Sequence, residues 1–179
     1  METLGTIYLE NAKKLFRSYK AMADKTFDQL SDKELHYEPV QDINSIAVIV
    51  QHLVGNMHSR FTDFLTTDGE KPNRNRDAEF EEQLFPKEEL LKKWENGWKV
   101  VFNTLDTLSP IDLIKTVYIR QEAHTALDAI NRQVAHYSYH VGQIVYLGKI
   151  IKGESWQTLS IPKGKSEEFN KTHMNKLRP

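Results

Sequence analysis

The 179-residue sequence contains no cysteine. That excludes a disulfide framework, a thiolate metal site and a cysteine nucleophile. Any bound metal must use His, Asp or Glu, and any thiol chemistry must draw on a thiol brought by the substrate. Long hydrophobic runs are missing too: the longest, from Ile46 to Val50, is far too short to span a bilayer. Nor is there an excess of one charge. The formal net charge is −1, so no global field favours nucleic acid or an anionic membrane. The opening Met1-Glu2-Thr3-Leu4-Gly5 lacks a basic region followed by an apolar one. It predicts no signal peptide, and the cytoplasm is the expected location.

With 39% hydrophobic and 27% charged residues, a chain of this length fits one domain able to bury its own core. Four segments carry helical periodicity, at 4–29, 44–65, 87–108 and 125–152. In the first, Leu4, Tyr8, Leu15, Tyr19 and Met22 recur at spacings of three, four and seven. The linker 30–42 follows, interrupted by Ser31-Asp32 and Glu38-Pro39. Asn44 or Ser45 can cap the second helix, whose apolar stripe is Ile46, Val50, Leu53, Met57, Phe61 and Phe64. The polar loop after it, with Arg74, Arg76, Asp77, Glu79, Glu81 and Glu82, has no apolar period and predicts no regular structure, although Phe80, Leu84 and Phe85 could pin it down. The third helix opens at Pro86 and repeats Leu91, Trp94, Trp98, Val101, Leu105 and Leu108. Val117, Tyr118 and Ile119 read as a short extended segment before the fourth helix. That helix keeps Leu127, Ile130, Val134, Tyr137, Val141, Ile144, Gly148 and Ile151 in register and ends at Gly153. Four amphipathic helices with apolar seams predict an all-α four-helix bundle over residues 1–166 and a polar tail over 167–179. Trp156, Leu159 and Ile161 make the segment after Gly153 too apolar to stay free, so it should fold back on the bundle.

Seven histidines are present, but only His136 and His140 have metal-ligand spacing on a clearly periodic helix. At i and i+4 they project from one face, with Cβ atoms about 5–6 Å apart. Tyr137-Ser138-Tyr139 lies between them, with no Glu after the first His. This is not the zinc-protease pattern, which carries its general base there. At about 100° per residue the pair sits beside the apolar stripe, with Ala129, Gln133 and Leu147 on the same flank. The same construction puts His52 and Asn56 on one flank of the second helix and His58 on the other. Spacing alone leaves open which of these two meets the fourth helix. It also leaves open whether the pair is a metal site or two half-buried structural side chains.

The order of features carries more. Ile49-Val50-Gln51-His52-Leu53 in the second helix, then His136-Tyr137-Ser138-Tyr139-His140 and Val141-Gly142-Gln143-Ile144 in the fourth, resembles the DinB/YfiT-like superfamily of four-helix bundles. An uncharacterised branch of that superfamily is matched more closely at Asn44-Ser45-Ile46, at Thr66-Thr67-Asp68-Gly69-Glu70-Lys71-Pro72, at Arg74-Asn75-Arg76-Asp77 and at Trp156-Gln157-Thr158-Leu159-Ser160-Ile161-Pro162-Lys163-Gly164. The resemblance implies one divalent metal ion, zinc or nickel, held by His52, His136 and His140, with no counterpart for His58. Three neutral imidazoles leave at least one metal position open, which is a catalytic rather than a structural pattern.

Members of the superfamily that move low-molecular-weight thiols such as bacillithiol onto electrophiles imply a metal-dependent thiol transferase with a small-molecule substrate. A metal-dependent hydrolase and a non-catalytic metal-binding stress-response bundle are the alternatives. A homodimer is also implied, with Trp94, Trp98, Phe102 and the tail hydrophobes offering apolar surface. No residue stands out as a catalytic acid or base. Asn56 and Gln133 suit the partners that metal-bound histidines need behind them. Arg74 and Arg76 could grip an anionic substrate, although exposed loop charge is the commoner case. Glu122 and His124 fall near the cleft mouth or in solvated loop, and Tyr137 belongs to the core seam.

Overall fold

The computed structural model describes residues 3–40 and 43–174, His173 and Met174 by backbone alone. Met1 and Glu2 of the leader reading, linker positions 41 and 42, and 175–179 of the polar tail lie outside the described residues. Four long helices dominate: α1 (Leu4–Phe27), α3 (Ile46–Phe61), α4 (Lys87–Thr107) and α5 (Ala126–Lys152). Two short ones, α2 (Asp32–Leu35) and α6 (Ser166–Met174), fall in the linker and in the tail. The protein is mostly helical, with one small antiparallel sheet of β1 (Thr116–Ile119) and β2 (Glu122–Thr125). No helix among the described residues is long and apolar enough to cross a membrane.

Local chemistry sets the ends of the long helices. Thr3, Ser45 and Thr125 each accept a backbone N–H three residues on, which satisfies a first-turn donor of α1, α3 and α5. Gly153 ends α5 at φ 52°, a conformation that costs glycine little. The main pairings are α3 with α4 and α1 with α5, and α3 also meets α5. Each long helix sends one ring to the centre: Phe16, Phe61, Trp98 and Tyr137, none more than 1% exposed. Phe16 has the other three within 6.1 Å, centroid to centroid. Such tilted and edge-on contacts add about 0.5–1.5 kcal/mol each beyond area burial.

The apolar stripe expected on α1 is buried only in part, at Tyr8 and Tyr19, which pack half-buried against the core. Leu4, Leu15 and Met22 are exposed, and the buried face is Leu9, Ala12, Phe16, Ala23 and Phe27. Phe16 packs on Trp98 and Tyr137 and Phe27 on Trp94, so the face that carries these rings is the one that turns inward. The stripes read for α3 and α4 are buried at Ile46, Val50, Leu53, Met57 and Phe61, and at Trp94, Trp98, Val101 and Leu105.

The loop after α3 has more order than its composition predicts. Asp77–Phe80 form a 3-10 turn that packs on α3. Upstream, Asp68 reaches the β1–β2 turn, whose central residues Arg120 and Gln121 have φ 56° and 65°. These are type I′ values, for which glycine or asparagine is the usual choice. The Asp68 carboxylate accepts the backbone N–H of both residues, at 2.8 and 2.7 Å, and so holds the turn without either. Gly69 N–H donates to the Tyr118 carbonyl at 2.7 Å and ties the loop to β1.

His36, just past α2, binds the far end of the same loop. One ring nitrogen faces the Glu82 carboxylate and the other the Phe85 carbonyl, 2.8 Å away. Both partners are acceptors, so the geometry calls for an imidazolium with two N–H donors. Burial alone would lower the His36 pKa, but Glu82, the Phe85 carbonyl and Asp32 outweigh it, and the net shift is upward. A raised folded-state pKa contributes stability that is complete below about 6.5 and is lost as pH rises through the shifted value. Wild-type melting temperature should therefore fall between pH 6.5 and 8.5 by more than that of His36→Gln. Equal slopes for the two proteins would refute this.

Candidate metal centre

The core fixes the rotation of the helices that carry the histidines. Tyr137, fully buried among the rings, turns the faces of its neighbours His136 and His140 toward α3. Buried Leu53 does the same for His52 on α3, directing it to the groove beside α5. One ring nitrogen from each of His52, His136 and His140 lies within 4.8 Å of the others. His52 Nε2 and His136 Nε2 are 3.2 Å apart. Tetrahedral zinc with ligand bonds of about 2.0–2.1 Å sets its nitrogens about 3.3 Å apart, so this pair already has the required separation. His58, on the other flank of α3, is exposed and outside the cluster.

The outward nitrogens decide which lone pairs face inward. His52 Nδ1 donates to Glu79 Oε2 at 2.9 Å, and His140 Nδ1 donates to Gln143 Oε1 at 2.7 Å. In a neutral ring that leaves both Nε2 atoms as acceptors, the form a metal takes. His140 Nε2 is buried with no hydrogen-bond partner, an orphan that a cation would satisfy. Burial, reinforced by His140 and His52, pushes the His136 pKa down to about 3. Burial likewise pushes His140 down to about 4, against the pull of Gln143. Rings held neutral at physiological pH are competent ligands, and the residues present fit a divalent ion.

Behind His52 stands a chain of ions that sequence reasoning missed. Arg74 makes a fork to Glu79, with Nε on Oε1 at 2.7 Å and Nη2 on Oε2 at 2.8 Å. Glu70 bridges Arg60 and Arg120, each at 3.0 Å, and reaches Arg74 at 3.5 Å. Burial would raise the Glu79 pKa, but the Arg74 fork and His52 outweigh it and keep the carboxyl below its usual range. Arg74 is thus a buried ion-pair partner with its side chain 5% exposed, not the exposed loop charge expected. Phe80 stacks on the His52 ring at 4.7 Å and Arg76 lies over Phe80 at 4.9 Å, so the polar loop forms one wall of the site. Leu84, read as another pin for that loop, is exposed.

A signal for Glu79 was present at Gly55. Mid-helix glycine costs about 1 kcal/mol against alanine, so it calls for a packing reason. A Cβ there would stand 2.6 Å from Glu79 Cδ. The bare backbone of α3 is what lets Glu79 reach His52.

The histidines open on a cleft of about 520 Å3 that Asn56, Gln133 and Tyr139 also line. Asn56 Oδ1 accepts from the Tyr137 hydroxyl at 3.1 Å, and Gln133 Oε1 is buried without a partner. Among the described residues, the hydrogen bonds to His52 and His140 from outside the cluster come from Glu79 and Gln143 rather than from these two amides. Tyr137 packs in the core. His124 bonds Asp128 at 2.7 Å, and neither it nor Glu122 lines the cleft. The segment after Gly153 docks beside α1, where the Gln157 backbone exchanges two hydrogen bonds with the Gln29 side chain.

No curated protein matches the chain. A family model described as "Protein of unknown function (DUF1572)" matches it over residues 3–165, which takes in all three histidines and the loop that roofs them. The chain belongs to that family.

Proposed function

We propose that this protein is a DinB/YfiT-like four-helix bundle that acts as a metal-dependent transferase, moving a low-molecular-weight thiol onto an electrophile. One observation carries the reading: three imidazole nitrogens converge at the head of an open cleft, two of them with their outer nitrogens already engaged. A divalent ion there, zinc or nickel, supplies Lewis acidity that lowers the pKa of a thiol or water. The chain itself contributes no thiol, having no cysteine, so the nucleophile comes with the substrate. The cytoplasm, a reducing compartment, would keep such a thiol available.

The cleft lining favours transfer over hydrolysis. Among the described residues it contains no carboxylate, and Glu79 behind it is committed to Arg74 and His52. Hydrolysis at a metal is usually assisted by a carboxylate that orients the bound water and takes its proton, whereas a thiol of pKa about 8.5 ionises near neutral pH with little help. His52 and His140 are held by Glu79 and Gln143 with their lone pairs inward, and Phe80 excludes water from one face of His52.

The test is metal analysis of protein purified without nickel resin, followed by a panel of small thiols and electrophiles. Thiol consumption that needs one metal per chain and disappears with EDTA is the expected result. Metal-loaded protein that consumes no thiol across the panel would overturn the transferase and leave a metal-binding bundle.

A further inference from the structure

The cleft has a second chemical character besides its histidines. Arg60 from α3, Arg74 and Arg76 from the loop, Arg120 from the β-turn and Arg132 from α5 all line it. Among the described residues, the carboxylates that touch these five are Glu70 and Glu79, which leaves a formal surplus of three positive charges. The whole chain carries −1, so this surplus is local and not a general basic surface. We propose that the cleft binds its small-molecule substrate through an oxyanion group, a carboxylate or phosphate, held chiefly by Arg76 and Arg132. The proposal rests on the reading of this cleft as the substrate site and adds the chemical class of what enters it.

Pairing separates the structural arginines from the available ones. Arg60, Arg74 and Arg120 are tied to Glu70 or Glu79 and hold the wall together. Arg76 and Arg132 line the same cleft, are exposed, and make no ion pair among the described residues. Neither is placed at random. Arg76 lies over the Phe80 ring that stacks on His52. Arg132 is one helical turn before His136, so it shares the face that carries His136 and His140. Guanidinium forks match the planar or tetrahedral oxygens of carboxylate and phosphate, and the two that have no carboxylate beside them are free to offer theirs to an anion. A space of about 520 Å3 suits a small molecule rather than a polymer strand. Gln133 Oε1, buried and unpartnered beside this space, adds an acceptor, so the ligand also carries a hydrogen-bond donor such as a hydroxyl or amide.

The experiment is titration calorimetry at low ionic strength with succinate and with inorganic phosphate. It uses wild-type protein stripped of metal by EDTA and the same protein reloaded with zinc. Wild type binds at least one of the two anions in both states, and which one it binds separates carboxylate from phosphate. Arg76→Gln and Arg132→Gln each weaken that binding about tenfold, the loss expected for one charge-assisted contact, without changing zinc affinity. Both side chains are exposed, so the variants fold, with Arg132→Gln at the wild-type melting temperature and Arg76→Gln slightly below it for the lost contact with Phe80. Undiminished binding by the double variant overturns the proposal, as does anion binding seen only with zinc, which would make the anion a metal ligand and nothing more. Tighter, arginine-dependent binding of a single-stranded oligonucleotide overturns it in favour of a polyanion surface. If zinc fails to bind but arginine-dependent anion binding persists, the metal reading falls and this one stands.

Discussion

Replacing any one of His52, His136 or His140 with Ala is expected to weaken zinc binding by more than about 100-fold. Losing a partner behind a ligand already costs about 10–100-fold, and losing the ligand must cost more. His58→Ala should leave the affinity unchanged, because that side chain is exposed on the opposite flank of α3. Zinc competition against a chromophoric chelator measures both. The same substitutions should remove the stabilisation that zinc confers: at a zinc concentration 100 times Kd this is about 2.7 kcal/mol, and a 100-fold weaker site retains little of it. Melting each variant with and without zinc separates that linked loss from ordinary packing damage. An outcome in which His58→Ala abolishes binding while His52→Ala does not would sink the assignment of α3's ligand.

Glu79→Ala should be nearly as damaging, through two routes at once. It leaves Arg74, with its side chain 5% exposed, dependent on Glu70 at 3.5 Å. Removing one member of a buried ion pair costs about 3–5 kcal/mol, and the remaining Glu70 contact argues for the lower end, about 3 kcal/mol. It also frees His52 Nδ1, so zinc affinity should drop about 10–100-fold even in folded protein. Gly55 supplies an internal control. Gly55→Ala alone collides with the Glu79 carboxyl, whereas in the Glu79→Ala background the collision is gone and the better helix propensity of alanine remains. The two substitutions should therefore be non-additive, with the second variant rescuing the first. Denaturant unfolding of the four proteins measures this. Additive effects, or a Glu79→Ala midpoint equal to wild type, would refute the role given to Glu79.

How much of this was legible beforehand depends on the range of the interactions. Helix positions depend on apolar period and caps, which are local, and α3, α4 and α5 follow their stripes closely. The rotation of α1 was not fully legible, because it turns on Phe16 and Phe27 meeting rings of α4 and α5, and those contacts belong to the partner helices as much as to α1. The His136–His140 pair follows from spacing on one helix. His52 could be chosen over His58 only by resemblance, since the choice turns on which flank of α3 faces α5. Glu79 and the arginines left only hints in the sequence, the mid-helix Gly55 for the first and the loop charges Arg74 and Arg76 for the second, for a different reason. They come from a loop, a turn and two helices, and only the folded chain brings them to one wall. Within the sequence Arg74 and Arg76 are indistinguishable, yet one is buried in a fork and the other is exposed over an aromatic ring.

The Asp68 carboxylate on the Arg120-Gln121 turn has a consequence for how the protein opens. The hairpin is made of two four-residue strands with a turn that is unfavourable for its own residues, so it has little stability alone. Its clamp lies 52 and 53 residues away in sequence. Closing a chain loop of that length costs about 3–4 kcal/mol, so the clamp forms only after the helices between its ends have already brought them close. Rim and candidate-site helices should therefore open as different cooperative units. The 66–70 loop and the hairpin should exchange their amide protons together through a low-energy opening, while α5 around His136 and His140 exchanges only when the whole molecule unfolds. Such an opening would carry Arg120 away from Glu70 and widen the cleft without disturbing the three imidazoles, so a ligand could enter a site whose ligating side chains never move.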